Sequence, residues 1–135
     1  MDRHPAFPTS EARKALASRF GLWYDDSMQD WEWEVANAEH FDEYLAAYAA
    51  LPEDQRFSLM EMLIQCVEDT KSELTFAARW NRLVPLLEMN QSLHEPTIEY
   101  WACRGATDPE EAFRISGKMR RVGQGGSPVV AIRGV

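Results

Sequence analysis

The stretch 57–69 constrains the fold more than any other part of the chain. Phe57, Leu59, Met60, Met62, Leu63, Ile64, Cys66 and Val67 project around most of a helix circumference. Only Ser58, Glu61, Gln65 and Glu68 leave a polar stripe, at helical spacing. A helix this apolar must be covered on most sides, which places it at the centre of the fold. Pro52 at the first helical position, with Glu53 and Asp54 in the first turn, starts it.

The remaining segments supply its covering. Ser10 suits an N-cap and Gly21 a left-handed C-cap, with Ala12, Ala15, Leu16 and Phe20 between them at helical spacing. A second helix is predicted over 27–37, with Trp31 and Val35 on one face. Phe41, Tyr44, Leu45 and Tyr48 then open a new stripe; one bent helix spanning both is the alternative. Leu74, Phe76, Ala77, Trp80, Leu83, Val84, Leu87 and Met89 form a further stripe, in which Pro85 predicts a kink or a fresh helix start. Pro96 is expected to open a shorter helix closed by Gly105, and Thr107, Asp108 and Pro109 a further cap. One last turn or short helix follows over 116–122. No convincing pair of alternating strands occurs, so the predicted class is all-α: a compact bundle of about five to seven helices around a central buried helix at about 53–69. Residues 1–9, with Pro5 and Pro8, read as a flexible arm, 10–122 as a single helical domain, and the glycine-rich 123–135 as a flexible tail.

Charge narrows the partners. The formal net charge is −8, unevenly spread. Residues 1–70 hold 15 acidic and 5 basic residues, and 71–135 hold 7 acidic and 9 basic. Between Arg19 and Arg56 there is no Lys or Arg, while Asp25, Asp26, Asp30, Glu32, Glu34, Glu39, Asp42, Glu43, Glu53 and Asp54 fall in that interval. Such a field repels nucleic acid and anionic lipid and attracts a basic partner. The basic cluster Arg114, Lys118, Arg120 and Arg121 is expected to pair with the protein's own acidic half, a partner or a helix C-terminus rather than with phosphate. No apolar run is long enough for a membrane span and the start lacks the order of a secretory signal, so a cytoplasmic protein is expected, with Cys66 and Cys103 as buried free thiols.

Chemical motifs are weak throughout. His40 and Glu43 share a helix face, but the di-iron pattern of paired Glu-x-x-His motifs is not met, and no metal or cofactor is expected. Large apolar neighbours make Cys66 and Cys103 poor nucleophiles, and no nucleophile elbow or phosphate loop occurs. The chain is therefore read as a non-enzyme with no catalytic residues. Its strongest constellation is aromatic and acidic: Trp23, Trp31 and Trp33 stand among the carboxylates, and Trp31 and Trp33 cannot both face the core of a regular helix. Tryptophan anchors interfaces and acidic rims steer basic partners. The leading expectation is a small acidic protein-binding module, immunity- or antitoxin-like, that neutralises a basic protein through Trp23, Asp25, Asp26, Asp30, Trp33 and Glu34. One alternative is a ligand-binding protein or enzyme with an aromatic pocket between helices, lined by Trp80, His94, Tyr100, Trp101 and Cys103. Another is a self-assembling structural protein.

Overall fold

A computed structural model describes residues 8–106 and 112–122; the expected arm over 1–7, the cap at 107–109 and the tail from 123 lie outside the described residues. The class is all-α, with seven α-helices and no strand among the described residues. By its contacts the chain divides into two compact units, Met1–Glu73 and Leu74–Val135.

In the first unit, α1 is Ser10–Phe20, α2 Trp31–Val35, α3 Phe41–Ala47 and α4 Glu53–Glu68. Helix α4 is the hub, packed on α1, α2 and α3. Its Leu59, Met60, Met62, Leu63, Ile64, Cys66 and Val67 are fully buried, as its sequence requires. Ser58, expected on the polar stripe, is buried as well. Pro52 stands one position earlier than expected, as N-cap with extended backbone.

The N-cap of α1 is Thr9, not Ser10: its Oγ1 accepts the Ala12 N–H at 3.1 Å. Gly21 closes the helix at φ 66°, the left-handed region that favours glycine, and donates its N–H to the Ala17 carbonyl. Helix α2 is shorter than the expected 27–37. The Asp25 carboxylate accepts the Ser27 N–H and hydroxyl, both at 2.8 Å, and this local turn competes with helix at the start. At the other end Ala36 is extended, and Asn37 accepts the Glu39 N–H to begin a 3-10 turn. The predicted second and third stripes are thus two helices, not one bent helix. Phe41, Tyr44 and Tyr48 share the buried face that follows, and Phe20 meets Tyr44 edge-on at 5.0 Å.

In the second unit, α5 is Glu73–Met89, α6 Gln91–Ala102 and α7 Ser116–Val122. Helix α5 starts one residue before the division and passes through Pro85 without a fresh start. Pro85 and Asn81, whose carbonyl loses its donor, are both exposed. Phe76, Trp80, Leu83 and Leu87 are its buried stripe; Leu74 and Met89, expected within it, are exposed. Helix α6 starts five residues before Pro96, with Asn90 as N-cap, so the proline lies inside it. Cys103, not Gly105, takes the left-handed C-cap conformation, at φ 47°. Cys103 is consequently half-buried rather than interior, whereas Cys66 is buried, and both are free thiols.

Helix α7 is locked to the end of α6. The Ser116 hydroxyl accepts the Phe113 N–H at 3.0 Å and donates to the Trp101 carbonyl at 2.7 Å. Arg120 donates through Nε to the Ala102 carbonyl at 2.6 Å and through Nη2 to the Cys103 carbonyl at 2.7 Å. Of the roles expected for the basic cluster, Arg120 takes the helix C-terminus, where unsatisfied carbonyls and the dipole favour a cation. Arg114 lies over the Phe76 ring, 4.2 Å from its centroid. No described helix is long and apolar enough to cross a membrane.

Candidate functional site

The three tryptophans of the acidic segment divide by local geometry. Trp31 opens α2 pointing inward and is fully buried. Its indole N–H donates to the Trp23 carbonyl at 2.6 Å, and Tyr24 meets its ring edge-on at 6.2 Å. The same contact holds the Trp23 backbone while its side chain stays 70% exposed. Trp33, two residues on, points to a different side of α2, is half-buried and donates its indole N–H to Glu61 of α4 at 2.9 Å.

The acidic residues divide as well. Asp25, Asp26, Asp30 and Glu34 are exposed. Asp26 accepts the Tyr24 hydroxyl at 2.8 Å. The backbone N–H and hydroxyl of Ser27 hold the Asp25 carboxyl below its ordinary pKa. Glu32 is buried, at 4% exposure, and belongs to a polar knot between α1, α2 and α4. Arg13 donates to its two carboxylate oxygens through Nε at 2.9 Å and Nη2 at 2.7 Å, and Ser58 donates its hydroxyl at 2.7 Å. The remaining Arg13 donors reach the Met28 and Gln29 carbonyls at 2.9 Å. The hydrogen bond to Glu32 raises the Arg13 pKa, against the opposing effect of burial. This knot fixes the loop that carries Trp23, Asp25 and Asp26 at the point where it enters α2.

A half-open cleft of about 170 Å³ lies beside the knot. Trp33 and Phe57 supply aromatic walls, and Arg13, Asp30, Glu32 and Glu61 supply charge. Trp33 and Asp30 were legible as candidates. Phe57, Glu61, Arg13 and Ser58 are not legible in this way: the first two read as a helix interior and its stripe, and the last two meet Glu32 only across 19 and 26 residues of chain.

The residues of the alternative pocket lie in the second unit. Trp80, His94 and Trp101 are buried there, while Tyr100 is half-exposed and Cys103 half-buried. Tyr100, Trp101 and Phe113 form one aromatic cluster, with Trp101 and Phe113 at 4.4 Å between centroids. The Cys103 thiol is 3.7 Å from the Tyr100 carbonyl of its own helix end. His40 and Glu43 pair at 3.2 Å on an exposed face, and no group of three metal-ligating residues occurs among the described residues. The chain matches no protein-family model, no curated protein and no solved structure.

Proposed function

We propose that the protein is a binding module for a basic protein, working in the cytoplasm, with the acidic face around Trp23 as its contact surface. One observation carries this reading. The exposed Trp23 shares its connection and the following helix with exposed Asp25, Asp26, Asp30 and Glu34, in an interval with no Lys or Arg of its own. An exposed indole in a run of exposed carboxylates combines a desolvating anchor with a field that steers a cationic partner. The Arg13 knot supports the reading, because it holds the end of the loop at Met28 and Gln29 and so lowers the ordering cost of binding. An immunity- or antitoxin-like role, in which the module neutralises a basic toxin, suits both the size and the acidity.

The test is capture of partners by the tagged protein at low and high salt, repeated with the Asp26→Lys, Asp30→Lys, Glu34→Lys triple variant and with Trp23→Ala. The expected result is one basic protein that is retained at low salt, released at high salt and lost with either variant. Retention that ignores both charge reversal and Trp23 truncation overturns the proposal.

A further inference from the structure

We propose that the outward side of α7, with Lys118 and Arg121 beside a bare Gly117, docks on the acidic face of a second copy of this chain, against Asp30, Glu34 and Trp23. The contact uses the same acidic face as the partner reading but does not depend on there being a basic partner. Helix α7 argues first. It buries Ser116, Met119 and Val122, so its other side turns outward. Arg120 is committed to the carbonyls that end α6, and Arg114 lies over the Phe76 ring. Lys118 and Arg121 take no part in either arrangement; Arg121 is exposed and Lys118 half-buried. Three positions apart, they set two positive charges about one helical turn from each other.

Gly117 argues second. It lies within the helix, where glycine is the least favourable residue after proline. Its φ is not positive, so the backbone does not require glycine. A β-carbon placed on it would have nothing within 4 Å, so no neighbour requires glycine either. A bare stretch of backbone beside two cations suits the close approach of a large flat side chain.

Complementarity argues third. Asp30 is the N-cap of α2 and Glu34 its fourth residue; both are exposed. Four positions apart on one helix face, they match the spacing of Lys118 and Arg121 with the opposite sign. Trp23, 70% exposed, is the large apolar group of the same interval and the candidate for the surface left open at Gly117. The net charge of −8 repels two copies at long range, but physiological salt screens that repulsion beyond about 8 Å, and opposite charges in contact are screened less. Two free-standing cations on a chain of this net charge are a poor footprint for nucleic acid.

The experiment is sedimentation velocity of the full chain in physiological salt, from about 10 μM to about 1 mM. The parent is compared with Lys118→Glu, Arg121→Glu and with the Asp26→Lys, Asp30→Lys, Glu34→Lys triple variant. The expected result is a parent that associates with a Kd of about 100 μM, and two variants that are each monomeric alone. Mixed in equal amounts, the two variants should associate again, because each reversed face then meets its complement on the other chain. Gly117→Gln should weaken association about tenfold while the melting temperature holds or rises. A parent that stays monomeric throughout, or a mixture that does, overturns the proposal. So does a parent that stays monomeric but binds a labelled DNA duplex through Lys118 and Arg121, which would give the basic stripe to nucleic acid. Capture of a basic protein reports on the partner reading separately. With capture lost on acidic-face reversal and the parent monomeric, only self-docking falls; with assembly restored in the mixture and capture indifferent to acidic-face reversal, only the partner reading falls.

Discussion

Two arginines fasten the two units internally, and they do so by different physics. In the first unit Arg13 enters a knot with a buried carboxylate, a buried serine and two carbonyls. In the second unit Arg120 meets only the carbonyls at the end of α6, beside a serine that bonds Trp101. The first arrangement buries two opposite charges and depends on both, since removing one leaves the other uncompensated. The second caps dipoles that water can replace in part. Charge that looks alike in sequence therefore carries very different energetic weight, according to whether its counterpart is buried with it.

The largest effect is expected in the knot. Glu32→Ala should destabilise the protein by about 3 kcal/mol in urea unfolding, near the low end for a broken buried pair because Arg13 keeps its two carbonyls. A loss below about 1 kcal/mol would show that the knot is solvated and would erase the contrast with Arg120. Arg120→Ala should cost less, about 1–2 kcal/mol, and should raise hydrogen exchange at the end of α6 and in α7. An equal loss at both arginines would break the comparison from the other side.

Smaller effects sharpen it. Cys103→Gly should raise stability by about 0.5–1 kcal/mol, because glycine takes φ 47° without the steric cost that cysteine bears at that cap. A fall in melting temperature would instead give the Cys103 side chain a packing role that outweighs the strain. The smallest effect concerns Asp25, whose folded pKa is depressed by Ser27. A depressed carboxyl contributes stability above its unfolded pKa and loses it as pH falls through the folded value. Asp25→Ala should therefore be slightly destabilised at neutral pH and indistinguishable from the parent once pH drops below the folded pKa. A difference that persists in acid would assign the effect to something other than the carboxylate.

Much of the helical pattern was legible because it rests on short-range rules. The covering of α4, the left-handed Gly21 and the existence of α1 follow from spacing within one helix. The start of α6 is not legible, because Pro96 reads as a helix opener, whereas the helix tolerates it in its interior. Cys103 does not read as a cap, because glycine is the usual choice and Gly105 stands two residues away. At the candidate site, Trp23 and its neighbouring aspartates could be read from composition. Glu32 could not be separated from Glu34, because that distinction is made by Arg13, 19 residues away, and Ser58, 26 residues away.

The sequence by itself determined the all-α class, the hub position of α4 and the one-signed charge of the interval between Arg19 and Arg56, since helical periodicity and charge are properties of neighbours along the chain. Tertiary structure alone decided which carboxylates face water, which tryptophan is left outside, and that Trp33, Phe57 and Glu61 line one cleft. Those outcomes depend on how α1, α2 and α4 meet, and burial of a polar group is tolerable only where such a meeting supplies its partner.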